Sequence, residues 1–259
     1  MRSDGRSGVS RRKEVEKAPD QRDLLISEIF GPTFQGEGAS LGQRAAFVRL
    51  AGCNLDCGFS QGFEAATMRC DTPYSWNWEA FDKRNHSHRT PQMEVVEKVR
   101  AIGADLVVFT GGEPLLQQQA LIWVMDVCRA RGMRVEVETN GTRIPREALV
   151  GVVHRFTIGP KLAGSAVPYA QRIRPQALRR YMSSGKAVFK FVAADRGDLE
   201  EVAALERDLG LAPIWIMPEG TTAEAVLERG RELADPVLER GWNLTTRLHT
   251  LLWGDERGR

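Results

Sequence analysis

The chain has 259 residues, 42% of them hydrophobic, with 36 Lys and Arg against 34 Asp and Glu for a net charge of +2. A chain of this length can bury a full core, and no apolar run approaches the roughly 20 residues that a membrane-spanning helix needs. Near-neutral charge does not advertise a nucleic-acid surface.

The first 22 residues, MRSDGRSGVSRRKEVEKAPDQR, carry +3, which leaves the rest of the chain at −1. They lack the apolar segment of a secretory signal and are rich in polar and charged residues, so they predict a disordered basic leader, 1–22, on a cytoplasmic domain, 23–259. Strands are then expected at 24–30 (LLISEIF) and 45–50 (AAFVRL), flanking a Gly-rich turn. A cysteine-bearing loop follows, and 72–90, with Trp76 and Trp78, shows no clean period and reads as an irregular excursion. Thr90 as N-cap and Pro91 at the first helical position open a helix with Met93, Val96 and Val99 inward and Gly103 at its end.

Strand and helix alternate from there. Strands are expected at 105–109, 133–138, 154–158, 187–192 and 213–217, with a last one in WNLTT. Helices fall between them: one to Arg131, a short one from Pro145, one from Pro175, one at 198–209 capped by Asp198, and one at 222–234. Repeated strand–helix units with β-branched strands give an α/β fold with a mostly parallel sheet, doubly wound or curled into a barrel.

Three of the four cysteines, Cys53, Cys57 and Cys70, lie between Leu50 and Thr72 among Gly, Asn, Asp and Ser. The fourth, Cys128, shares a helical face with Leu121, Val124 and Met125 and reads as core. Three thiolates are one short of the four ligands that close a structural zinc site or an iron–sulfur cluster. An open ligand position is where a substrate or cofactor binds; alternatively His86 or His88 completes a zinc site. Five loops matter because each follows a strand: the cysteine loop, TGGEP, TNGT, GPK and MPEG all fall at what would be one carboxyl edge of the parallel sheet, where ligands bind in such folds. The double glycine of TGGEP lets backbone approach a ligand closely, and Glu113 adds a carboxylate there.

A Cys-x3-Cys…Cys loop followed by GGEP after the next strand resembles the radical S-adenosylmethionine superfamily. More narrowly, EIFGPTFQGEGASLGQRAAFVRLAGCN, CDT, FTGGEP, VETNGT, GPK and RLHTLLWG, in that order over residues 28–253, resemble the 7-carboxy-7-deazaguanine synthase family. One departure is the twelve residues, GFSQGFEAATMR, that separate Cys57 from Cys70 where the superfamily usually has two. Lengthening a loop costs only about 0.6 kcal/mol per doubling, which leaves the ligand assignment standing.

The resemblance implies a partial (β/α) barrel in a single domain. It implies a [4Fe–4S] cluster on Cys53, Cys57 and Cys70, with S-adenosylmethionine on the fourth iron and Mg2+ on Thr72. It implies conversion of 6-carboxy-5,6,7,8-tetrahydropterin to 7-carboxy-7-deazaguanine with loss of ammonia, and a flavodoxin- or ferredoxin-type electron donor. A homodimer acting on a small molecule, with no nucleic acid or membrane partner, follows too. On the substrate side it places Phe34, Gln35, Gly36, Glu37, Arg49, Thr110 and His249. On the cofactor side it places Arg69, Asp71, Gly112, Glu113, Glu138, Asn140, Gly159, Pro160 and Lys161, with Gly159 standing where the family often has Ser. Two alternatives stay open: another radical enzyme such as a glycyl-radical activase, and a structural zinc-binding α/β protein.

Overall fold

The computed structural model describes residues 22–58, 66–254 and 256–259; the expected leader, apart from Arg22, lies outside them. Among the described residues nine strands form one sheet: β1 (Leu24–Phe34), β2 (Arg44–Leu50), β3 (His88–Thr90), β4 (Leu106–Gly111), β5 (Arg134–Thr139), β6 (Arg155–Ile158), β7 (Ala187–Ala193), β8 (Ile214–Pro218) and β9 (Asn243–Leu244). Their order is β3-β1-β2-β4-β5-β6-β7-β8-β9. The first two pairings, β3 with β1 and β1 with β2, are antiparallel, and every pairing from β2 to β9 is parallel. The sheet is an open, partial barrel in a single α/β domain, as the sequence led one to expect.

The helices are α1 (Lys83–His86), α2 (Gln92–Ile102), α3 (Gln118–Ala130), α4 (Glu147–Val152), α5 (Tyr169–Arg172), α6 (Pro175–Met182), α7 (Arg196–Leu209), α8 (Ala223–Glu239) and α9 (Leu248–Trp253). None is long and apolar enough, among the described residues, to cross a membrane.

The two faces of the sheet differ, and strand alternation makes them so. Ala46, Val48, Leu50, Val107, Phe109, Val135, Val137, Phe156, Ile158, Phe189, Phe191 and Ile216 join the helices in one large core that also holds Cys128. The intervening residues face the other way. Ala45, Phe47, Leu106 and Val108, with Phe30 stacked on Phe47 at 5.1 Å, make a small apolar floor. Arg49, Thr110, Glu138, Thr157 and Lys190 alternate with the core-facing residues on the same strands, and Arg49 and Thr110 are register partners. A strand buried on both faces would read as continuously apolar; these do not, which makes the second face a polar interior.

Several boundaries move. β1 runs four residues beyond the expected end, passing Gly31 and Pro32 through a register shift against β2. Thr90 is the last residue of β3 rather than a helix cap. Pro91 takes the cap position of α2, its carbonyl receiving Val95 N–H at 3.1 Å, and Met93 faces solvent while Gln92, Val95, Val96 and Val99 are buried. The excursion at 72–90 contains α1 and β3, the latter paired with Leu24–Ile26. α7 is capped by Asp195, whose side chain accepts from Asp198 N–H, so Asp198 is a first-turn residue instead of the cap. α8 runs to Glu239 through Pro236, β9 keeps only two residues of WNLTT, and α9 follows it.

Candidate active site

Because β2 and β4–β9 run parallel, the loops after β2, β4, β5, β6 and β8 all emerge on one edge. Cys53, Cys57 and Cys70 carry no disulfide and gather with Leu55 and Val167 in one small apolar cluster. Cys70 N–H donates to Cys57 O at 3.2 Å and Gly58 N–H to Ser165 O at 2.9 Å. Despite the long insertion, whose residues 59–65 lie outside the description, the third cysteine comes back beside the second.

Burial pushes the Cys53 thiol up to about 12, with the nearby Glu113, Cys57 and Cys70 adding to the rise. Cys57 is also raised by burial, opposed by Lys161. Lys161 itself is held charged against its burial by Cys57, Cys70 and Asp71. Three crowded thiols near a buried cation are a donor set suited to a metal centre that displaces their protons and leaves thiolates for Lys161 to balance. The zinc alternative would need His86 or His88 to stand with the three cysteines. His86 packs instead against Tyr74 and Phe81, and His88 lies in β3 opposite Ile26.

The GGEP loop is locked onto the cysteine loop. Gly112 N–H donates to Leu50 O at 3.3 Å and Glu113 N–H to Gly52 O at 2.9 Å. A side chain at Gly112 would place its Cβ 2.3 Å from Gly52 O and 2.9 Å from Cys53 Cβ, so only glycine fits. Glu113 does not extend into the rim as its position suggested. It is fully buried, and its oxygens receive Leu115 N–H at 2.9 Å, Asn140 N–H at 2.8 Å and Thr139 Oγ1 at 2.8 and 2.9 Å. Burial raises its pKa, which these donors oppose. Asn140 continues the tie by donating from Nδ2 to Asn54 Oδ1 at 3.1 Å, one residue from Cys53. Gly159 N–H donates to Thr139 O at 2.8 Å, and a Cβ at Gly159 would meet nothing closer than 3.6 Å. Pro160 is buried beside it, and the backbone of Arg69 lies against Gly58. The Thr72 hydroxyl makes no capping bond and lies 3.7 Å from Cys70 Sγ.

A second constellation fills the polar interior. Glu138 accepts from Gln35 Nε2 and from Thr110 Oγ1, both at 3.0 Å. It therefore touches two residues expected on the substrate side, from the end of β5 that leads into the TNGT loop. Gly36 permits an unusually close approach: a Cβ there would lie 2.2 Å from His249 Nδ1, and Gly36 O receives Leu248 N–H at 2.8 Å. Phe34 stacks on Trp253 with centroids 6.1 Å apart.

Glu37 pairs with Lys190 and lies 3.4 Å from Arg247 Nε and 4.0 Å from His249 Nε2. Burial alone would raise its pKa, but Lys190, then Arg247 and His249, hold the carboxyl well below the carboxylate range. Burial lowers the His249 pKa. Arg247 also donates to Gly220 O at 2.8 Å and to Asp71 Oδ2 at 2.9 Å, joining the Glu37 group to the residue after Cys70. Arg49 Nε donates to Glu28 Oε1 at 2.6 Å, and Glu28 further receives Tyr74 OH at 2.9 Å and Arg257 Nε at 2.8 Å.

The sequence reading missed Lys190 and Arg247. Lys190 had a signal, a lone cation in the apolar strand AVFKFV, whereas Arg247 is marked only by its place two residues before His249.

A model of the radical SAM superfamily matches residues 48–190. The chain is 36% identical to the 7-carboxy-7-deazaguanine synthase of Pyrobaculum aerophilum, over 91% of this chain and 97% of that protein. It is 32% identical to the one of Halobacterium salinarum, over 94% and 95%. The crystal structure of QueE from Escherichia coli is similar in fold, with a TM-score of 0.64 at 24% identity over 88% of this chain and 95% of that one.

Proposed function

The chain belongs to the 7-carboxy-7-deazaguanine synthases of the radical S-adenosylmethionine superfamily, and from that premise we propose how its own residues divide the work. It is a radical lyase of 7-deazapurine biosynthesis, with 6-carboxy-5,6,7,8-tetrahydropterin as substrate and 7-carboxy-7-deazaguanine and ammonia as products. The observation that carries this reading is a pair of constellations: three thiols gathered at the sheet edge, and a polar interior in which Arg247 joins Glu37 to Asp71 while Glu37 N–H donates at 3.1 Å to Gln35 of the Gln35–Glu138–Thr110 group.

Cys53, Cys57 and Cys70 would hold the [4Fe–4S] cluster, with S-adenosylmethionine beside it. Together these groups would supply one-electron, radical-generating chemistry to the bound substrate. The chain does the rest by placement. Gly112, pressed on Gly52, brings backbone polar groups to the amino acid end of the cofactor without an intervening side chain. Asn140, Gly159, Pro160 and Lys161 line its remainder, with Lys161 offering a cation to the carboxylate.

Glu138, fixed by Gln35 and Thr110, accepts hydrogen bonds from the pterin ring edge. Arg49 is held through Nε by Glu28 and offers its guanidinium to the substrate carboxylate. Thr72 supplies an oxygen to Mg2+, a hard cation suited to the same carboxylate. Lys190 and Arg247 favour the ionised form of Glu37, and burial favours the neutral form of His249. The apolar floor of Phe30, Phe47, Leu106 and Val108 keeps water from the radical. A flavodoxin- or ferredoxin-type donor, a homodimer and a cytoplasmic location complete the proposal.

The test is anaerobic. Reconstituted protein is given reductant, S-adenosylmethionine and carboxytetrahydropterin with and without Mg2+, and 5′-deoxyadenosine and deazaguanine product are followed together. Joint formation, faster with Mg2+, is expected. Deoxyadenosine without product would remove the pterin assignment and leave the radical machinery.

A further inference from the structure

Trp76, in the aromatic segment after the third cysteine, has no part in the function above, yet its side chain meets one of the thiols. Trp76 Nε1–H donates to Cys70 Sγ at 3.3 Å. An indole N–H is a donor only, so the bond runs in one direction. The backbone that carries it is tightly made. Trp76 N–H and Asn77 N–H both donate to Pro73 O, at 3.1 and 2.8 Å, and fully buried Ser75 donates from Oγ to Thr72 O at 2.8 Å. Ser75 O in turn receives Gly52 N–H at 2.7 Å, so the residue beside Trp76 is pinned to the residue before Cys53. Trp76 also lines a cleft of about 280 Å³ together with Cys53, Asn54, Leu55, Asp56 and Gln171.

We infer that Trp76 is a positioning residue for the cluster, its indole N–H holding the Cys70 thiolate in place and raising the cluster's reduction potential. The inference rests on the three cysteines being cluster ligands. Its physical basis is that a donor to a ligand sulfur stabilises the electron-rich reduced state more than the oxidised one, and hydrogen bonds to sulfur are among the terms that set such potentials. An external one-electron reductant supplies the electron. The indole keeps its proton, and no covalent bond forms or breaks. Among the described residues the thiols are also met by Leu55 N–H at 3.4 Å from Cys53 Sγ and by the N–H of Cys57 on its own thiol, which no side-chain substitution removes, and by the Thr72 hydroxyl at 3.7 Å from Cys70 Sγ. Trp76 is therefore the position at which the effect can be isolated.

The experiment is a potentiometric titration of the reconstituted full-length protein, followed by electron paramagnetic resonance of the reduced cluster, with iron and sulfide measured on each sample. Trp76→Phe keeps an aromatic ring and removes the donor; Trp76→His restores a ring N–H. The Phe variant is expected to hold a full cluster with a more negative midpoint, so that at a fixed poise the ratio of reduced to oxidised cluster falls several-fold. One exchangeable proton coupling should vanish from its proton double-resonance spectrum, and the His variant should recover part of both. Cluster loss from the Phe variant but not from the His variant also supports the bond. An unchanged midpoint and unchanged couplings in a fully loaded Phe variant would overturn the inference, as would cluster loss from both variants. If the wild-type protein bound no cluster, the reading beneath the inference would fail instead, so the two failures are told apart.

Discussion

Substitution of Gly112 by alanine tests the packing of the GGEP loop on the cysteine loop. The added Cβ would stand 2.3 Å from Gly52 O, 2.7 Å from Gly52 C and 2.9 Å from Cys53 Cβ. Two of those atoms are backbone, so no rotamer change relieves the clash, and Gly52 O is the acceptor of Glu113 N–H at 2.9 Å. Forcing a methyl into a filled space costs about 1–3 kcal/mol. For a domain of this size each kcal/mol moves the melting temperature by about 2–4 °C, so Gly112→Ala should melt roughly 2–12 °C below wild type. Since the displaced loop carries Cys53, the variant should also lose iron on reconstitution and bind S-adenosylmethionine more weakly. The control is Gly151→Ala in α4, where a Cβ meets nothing within 4 Å. Alanine there should stabilise by about 0.5–1 kcal/mol. Calorimetry and iron analysis read both. A Gly112→Ala protein that melts within a degree of wild type and carries a full complement of iron would refute the account of the loop contact.

Three other outcomes are expected. Cys70→Ala should hold no intact cluster and show no turnover, whereas Cys128→Ala, which removes one heavy atom from the core, should keep both and lose about 1 kcal/mol in urea unfolding; a brown, active Cys70→Ala protein would contradict the ligand assignment. Lys190→Met leaves Glu37 buried without its main partner and should cost about 3 kcal/mol, much of which Glu37→Gln in the same chain should restore; additive losses in the double variant would show that the two side chains are not coupled. Burial raises the thiol of Cys128 from 9.0 to about 12, and burial aided by Glu28 raises the phenol of Tyr74 from 10.0 to about 12. Both groups hold their protons longer folded than unfolded, so their contribution is complete below about pH 9 and is lost as pH rises toward 12. The metal-free protein should melt at falling temperature over that window, less steeply in Cys128→Ala, and a flat profile would refute the shifts.

How much of this was legible in the sequence depended on whether the cause was local. β4 and β5 are β-branched runs closed by Gly, Asn or Pro, so the strands and the loops at their ends could be read directly. Cys128 could be assigned to the core from helical spacing alone. β3 could not be read, because His88–Thr90 is a strand only through its pairing with β1. The same is true of β1 beyond Phe30, where pairing with β2 resumes after Gly31 and Pro32. Helix starts slipped by a few residues because two candidate caps stood close together: Thr90 beside Pro91, and Asp195 beside Asp198. In the site, residue types were legible and directions were not. A carboxylate beside a proline reads as a rim group, but the N–H groups of Leu115 and Asn140 draw Glu113 inward. Which residues would complete the interior was hidden because Lys190 and Arg247 meet Glu37 from 153 and 210 positions away.

Glu113 has a further consequence. Its two oxygens receive groups from the loop after β4 and from the loop after β5, and Asn140 passes the connection on to Asn54 in the loop after β2. Three loops from three different strands are thus fastened as one mechanical part, with a buried carboxylate as its rivet. Such a part moves whole or not at all, so a relative's GGEP segment grafted alone into this chain would arrive without its fastenings. The smallest exchangeable unit is the set of three loops, and recombination between distant members of the family should respect that boundary.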